Sequence, residues 1–174
     1  MNHNVFITYH NHDIEIAKTI CHALEQNEIK CWMAPRDVPP RSYFGDVMDE
    51  AIKSCEVVVV LFSKNAAESQ WMKNELTISF EELKNIIVFA LDQTPIKDQY
   101  RFMLKKALWI DAFPDYRTKL NELVLSVSRS TGKEVLLEKT DIKSSMKRKY
   151  NKLFIIGIVL LIIGVFGLLY LFFA

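Results

Sequence analysis

Val57-Val-Val-Val-Leu-Phe62 is an unbroken run of six apolar residues, four of them valine. It is short for a helix, β-branched and free of polar alternation, the pattern of a strand buried on both faces. Such strands belong to parallel sheets sandwiched between helices. Four further short apolar runs accompany it: Val5–Thr8, Ile29–Met33, Ile86–Leu91 and Ala107–Ile110. Between the runs, apolar residues recur at helical spacing: Ile14, Ala17, Ile20, Cys21 and Leu24, then Val47, Ala51 and Ile52. Met72, Leu76, Ser79, Phe80 and Leu83 continue the pattern, and Leu120, Leu123, Val124 and Val127 mark a last helix. This β–α alternation predicts an α/β fold with a five-stranded parallel sheet, right-handed crossovers and helices on both faces.

Outside that pattern the chain changes character. Its 174 residues suffice for one domain. From Leu153 to Ala174 there is no charge, and those 22 residues would span about 33 Å as a helix at about 1.5 Å per residue, the reach of a membrane span. Six bases and a single acid, Asp141, lie between Lys139 and Lys152. By the positive-inside rule this cluster places the N-terminal module on the cytoplasmic side; a polybasic recognition tail is the alternative. The expected organisation is a folded domain over 1–130, a polar and basic linker over 131–152, and a transmembrane helix over 153–174. The module preceding the basic cluster is acidic, with 16 bases against 20 acids up to residue 138. That balance argues against nucleic-acid binding, which rests on many Lys/Arg–phosphate contacts.

Several chemistries are excluded by what is missing. Gly45 and Gly132 are the only glycines before the apolar tail, so neither a GxGxxG nor a P-loop phosphate cradle can be written. There is no GxSxG elbow and no HExxH. Cys21, Cys31 and Cys55 are odd in number and lack CxxC spacing, which fits buried free thiols in a reducing compartment; no metal site is expected.

Three loops after strands remain: Tyr9–Asp13, Ala34–Ser42 with three of the five prolines, and Ser63–Ser69. In an open α/β sheet, ligands collect beyond the carboxyl ends of the strands where strand order reverses. For the common order 2-1-3-4-5 that crevice lies between strands 1 and 3, walled by the first and third loops with the second alongside. The helix after strand 3 starts near Asn65 or Ser69, and an early start makes Asn65-Ala-Ala-Glu68 a capping pair. Trp71 and Glu75, four apart, share one side of that helix.

The same segments carry a family resemblance. Val5-Phe-Ile-Thr-Tyr9 resembles the opening strand of Toll/interleukin-1 receptor (TIR) domains, particularly bacterial ones. Cys31-Trp-Met-Ala-Pro-Arg-Asp-Val-Pro-Pro40 is similar to their BB loop, Ser69-Gln-Trp-Met-Lys-Asn-Glu-Leu76 to their serine–tryptophan–glutamate motif, and Trp109-Ile-Asp111 to the end of their fifth strand. Arg41 departs from the pattern, since many relatives have glycine after the Pro-Pro pair. The resemblance spans about residues 4–130 and implies a flavodoxin-like fold. For many bacterial members it further implies cleavage of the nicotinamide–ribose bond of NAD+, by hydrolysis or cyclisation, in anti-phage or stress signalling. The motif glutamate, catalytic in those relatives, is Glu75 here.

On that reading NAD+ is a substrate, and no cofactor is implied. Tyr9, His10, Trp32, Arg36, Asp37, Ser69 and Trp71 are the candidate binding residues around Glu75. Trp32 and Tyr9 offer aromatic faces for a base, and Arg36 a charge for the pyrophosphate. Bland alternatives stand beside several of these assignments. Trp32 and Trp71 suit packing, Arg36 a solvated loop charge, Asp37 a pair with Arg36, and His10 the cap of the first helix. Receptor and adaptor TIR domains imply a different use of the fold, a non-catalytic scaffold that self-associates through the BB loop, here Ala34–Ser42.

Overall fold

Strand phase sorts the core into two halves. In the computed structural model, which describes residues 3–133, the strands are β1 (Val5–Thr8), β2 (Cys31–Trp32), β3 (Val57–Phe62), β4 (Asn85–Ala90) and β5 (Leu108–Asp111). All pair in parallel, in the order β2-β1-β3-β4-β5. Val5, Ile7, Val57, Val59, Leu61, Ile87 and Phe89 face helices α1 (Ile14–Glu25) and α6 (Leu120–Thr131). Phe6, Val58, Val60, Phe62, Ile86 and Val88 face the opposite layer, formed by α2 (Phe44–Ser54), α3 (Lys64–Ala67), α4 (Gln70–Glu81) and α5 (Asp98–Arg101). Every residue of β3 is fully buried. That agrees with the two-faced strand read from its composition and makes β3 the axis of the sheet. Each of its valines contributes about 1.5–3 kcal/mol by burial.

The architecture is the α/β fold expected, and most elements lie where periodicity placed them. Two local readings are corrected. The apolar run Ile29–Met33 forms a strand only at Cys31–Trp32, because β2 is an edge strand pairing with β1 alone, at Val5 and Phe6. After β3 the chain makes two helices instead of one. Ser63 caps α3 by accepting from the Ala66 N–H at 3.2 Å, and Ser69 caps α4 by accepting from Met72 N–H at 3.3 Å. Asn65 therefore lies inside α3 and is not its cap. Serine at both N-caps satisfies donors that the first helical turn leaves unpaired.

The loop Ala34–Ser42 is organised by its prolines. Ser42 N–H donates to Pro39 O at 3.3 Å, closing a turn with Pro40 second and Arg41 third. Arg41 sits at φ 63°, in the left-handed region. A proline followed by a positive φ is the pattern of a type II turn, whose third position favours glycine. The backbone thus keeps the geometry that a glycine would adopt freely, although arginine occupies the position.

The chain leaves α6 through Gly132, whose φ of 65° ends the helix in the left-handed conformation. Among the described residues no helix is long and apolar enough to cross a membrane. The span expected over 153–174 lies outside the described residues.

Candidate active site

Thr8 ends β1 in the phase of Phe6, so its side chain points into the layer containing α4. On α4, Met72, Glu75, Leu76 and Ser79 are the buried residues, an i, i+3, i+4, i+7 stripe with a carboxylate in one slot. Strand phase and helix phase bring the two polar groups together: the Thr8 hydroxyl donates a short hydrogen bond to Glu75 Oε2. The Ser79 hydroxyl is occupied elsewhere, donating to the Glu75 backbone carbonyl at 2.6 Å. Among the described residues no ion pair involves Glu75, and only 7% of its surface is exposed. Burial pushes its pKa up to about 7, with the Thr8 hydrogen bond working weakly the other way.

Glu75 lies at the wall of a cleft of about 420 Å³ at the carboxyl end of the sheet. Tyr9, His10, Ser69 and Trp71 also line it, together with Thr8, Asn11, Ala34, Pro35, Phe44 and Met48. Five of the eight candidate residues are therefore brought together. The Tyr9 hydroxyl donates to Ala34 O, tying the first loop to the second across the cleft. Its pKa is raised by burial and then by the nearby Glu75. His10 both lines the cleft and caps the following turn, its Nδ1 lying 3.3 Å from the His12 backbone N. Trp71, half exposed, stacks on Phe44 with ring centroids 5.3 Å apart and planes 11° from parallel. Among the described residues no lysine or arginine lines this cleft.

The remaining three candidates lie elsewhere. Trp32 pairs with Phe6 in register and stacks on it at 5.1 Å, 2% exposed, inside the α2 layer. Strand phase turns it into the core, so it offers no stacking face to a ligand. Arg36 turns away toward α1. Its Nη2 lies 2.9 Å from Glu25 Oε1 and 2.8 Å from Asp37 Oδ2, and donates to Cys31 O at 2.7 Å. Asp37 in addition accepts from Met33 N–H at 2.9 Å. The two residues brace the root of the loop, and neither lines the cleft.

The third loop contributes Ser69 alone, for Ser63 donates instead to the buried Asp13 at 2.7 Å. Phe44, Met48 and Thr8 are cleft residues that the sequence reading missed. The first two belong to α2; Phe44, just after the second loop, reads from sequence as a packing or self-association contact. Thr8 was hidden inside a strand, and its alternation with Phe6 was the available signal.

The family model for the TIR domain matches residues 5–124, and the chain belongs to the TIR domain family. No curated protein sequence matches it. Among solved structures, the chain is similar to the TIR domain of the Toll-related receptor TRR-2 from Hydra magnipapillata: 21% identity, TM-score 0.60, covering 72% of this chain and 98% of that one. A metazoan TIR-STING receptor from C. gigas is similar at 19% identity and TM-score 0.56, covering 71% of this chain and 40% of that one. A CMP N-glycosidase, BcmB, from Clostridium botulinum gives 15% identity and TM-score 0.54, covering 69% of this chain and 97% of that one. At these identities the likeness is one of fold.

Proposed function

We propose that this TIR domain cleaves the nicotinamide–ribose bond of NAD+, with Glu75 as the catalytic residue. The observation that carries the reading is a carboxyl group buried in the wall of an open cleft, held by one hydroxyl and without a cationic partner among the described residues. Burying a carboxylate in this way is costly, and structural roles seldom require it.

The chemistry suits a single carboxylate. Nicotinamide departs as a neutral molecule from a cationic pyridinium, so nothing must protonate the leaving group. The transition state instead gathers positive charge on the ribose, which an ionised Glu75 stabilises from a poorly solvated position. Most glycosidases need two carboxyl groups because their leaving group must be protonated. Thr8 holds the Glu75 carboxylate oriented, and Trp71 and Phe44 present an aromatic face at the cleft mouth for a base ring. BcmB, a protein of similar fold, is a CMP N-glycosidase by name, which supports an N-glycosidase reading.

The pyrophosphate has no side-chain cation waiting for it in the cleft. Its contacts on this reading are backbone N–H groups and the hydroxyl of Ser69. The apolar run over 153–174, preceded by the basic cluster, would anchor the domain on the cytoplasmic side of a membrane, in anti-phage or stress signalling. Clustering there through Ala34–Ser42 would raise turnover. The exposed tip of that loop at Pro39, Pro40 and Arg41, next to a Tyr43 that is 77% exposed, supports a self-association surface.

The test is NAD+ consumption by the purified full chain clustered on lipid vesicles, beside Glu75→Gln. Turnover by the wild type alone is expected. Folded, clustered wild type that leaves NAD+ untouched would instead make the domain a non-catalytic scaffold.

A further inference from the structure

Cys21 and Cys31 are ten residues apart in sequence and meet on the α1 side of the sheet. Cys31 faces that side because it precedes Trp32 by one residue and so points to the opposite face of β2. Their sulfurs and a carboxylate oxygen of Glu25 all lie within 4.8 Å of one another. Such a triangle resembles half a metal site, yet it already contains a cation. Arg36 Nη1 donates to Cys21 Sγ at 3.0 Å, while Nη2 of the same guanidinium bonds Glu25 at 2.9 Å. Cys21 itself is buried, whereas the Arg36 and Glu25 side chains beside its sulfur are each about 40% exposed.

We propose that Cys21 and Cys31 are an oxidation site, at which a peroxide converts the two thiols to a Cys21–Cys31 disulfide. The Cys21 thiol gives up its proton and the thiolate attacks one oxygen of hydrogen peroxide; the O–O bond breaks, the departing hydroxide takes up that proton to leave as water, and Cys21 becomes a sulfenic acid. The Cys31 sulfur then attacks the Cys21 sulfur. An S–S bond forms, the S–O bond breaks, and the departing hydroxide takes the Cys31 proton to leave as water. Two thiols lose two electrons, and one peroxide is reduced to two waters.

The division of labour follows from the surroundings. The Cys31 thiol beside it and the Arg36 guanidinium hold the Cys21 pKa below the usual thiol range against the opposing effect of burial, making Cys21 the attacking group. The third cysteine is an internal control. Cys55 Sγ donates to Ile52 O at 3.1 Å, and burial pushes its pKa up to about 11.

Oxidation removes the Cys21 thiolate from Arg36, which keeps Glu25, Asp37 and Cys31 O and follows directly on the cleft-lining Ala34 and Pro35. The inference does not depend on NAD+ cleavage.

The experiment treats the purified full chain, reduced and then freed of reductant, with hydrogen peroxide at pH 7, followed by intact mass and peptide mapping. A loss of 2 Da, reversed by dithiothreitol and mapped to Cys21–Cys31, is expected in the wild type and in Cys55→Ser. Cys31→Ser should instead give a dimedone-trapped sulfenic acid at Cys21. Arg36→Gln should slow the 2 Da loss about tenfold by removing the cation beside the thiolate. Reaction at Cys55 as fast as at Cys21, no mass change in folded wild type, or one tightly held zinc that protects both thiols would each overturn the proposal. Because the wild-type mass change is decisive alone, failure of a variant to fold leaves the test intact.

Discussion

The two ends of this sheet each carry a cavity, and the larger one has less chemistry in it. At the amino end of β4 and β5 a groove of about 710 Å³ is lined by Phe80, Leu83, Phe102 and Leu108 with Lys84, Lys105 and Lys106. The cleft at the carboxyl end is smaller, about 420 Å³, but holds Glu75, Thr8, Tyr9, His10 and Ser69. Among the described residues no acid lines the groove, and Lys84 is already used, donating to Lys53 O at 2.7 Å and Cys55 O at 3.0 Å. The difference follows from the direction of the strands. At the carboxyl end, loops and helix starts converge and bring capping serines with them; at the amino end, helices finish and leave apolar side chains such as Leu83 and Phe102 uncovered. Size alone does not single out a site for chemistry; a desolvated carboxyl group among polar neighbours is the stronger candidate.

Four outcomes test that contrast, beginning with the largest. Glu75→Ala should lower NAD+ turnover by at least about 100-fold, the scale of losing one electrostatic contact to a transition state, whereas Phe102→Ser in the groove should leave it unchanged. Comparable losses from both would dissolve the distinction between the two ends.

Stability sharpens it further. The Glu75 pKa is raised in the fold, to about 7 from an ordinary 4.5, so the folded state binds the extra proton and wild-type stability declines as pH rises between those values. Glu75→Gln removes that penalty. Its advantage in urea unfolding should be small near pH 4 and grow to about 3 kcal/mol above pH 8, the energy of a shift of that size. A pH-independent difference would mean that burial does not perturb this carboxyl group.

At the cleft mouth, Trp71→Ala should raise the KM for NAD+ about tenfold with a smaller change in kcat, since in the proposed function the ring binds and does not react. Equal KM values would place the base elsewhere. The smallest effect is expected at Arg41, whose positive φ strains any residue with a Cβ. Arg41→Gly should be neutral or stabilise by up to about 1 kcal/mol, and Arg41→Val should destabilise by a similar amount, both read from urea midpoints.

The strands, their mutual direction and the helices between them were legible because each is written in a local period. Val57–Phe62 has no polar alternation and hence no exposed face, and the α4 stripe of Met72, Leu76 and Ser79 repeats at helical spacing. Glu75 could be singled out from its motif and from its place in the helical segment after strand 3, although that segment divides in two and Glu75 falls on the second helix, α4. The binding residues fared unevenly because a loop position does not reveal which way a side chain turns. Trp32 went to the core through its register with Phe6, and Arg36 went to α1, where Glu25 and Cys21 offered better partners than open solvent.

Sequence by itself determined the class of fold, the family and the one carboxylate worth testing, since periodicity and motif spacing are properties of neighbouring residues. The tertiary structure decided what Glu75 touches, that Phe44 and Met48 of α2 share its cleft, and that Cys21 meets Cys31. Those are contacts between segments tens of residues apart. The phases of separate strands and helices set them, and no local pattern records how those phases coincide.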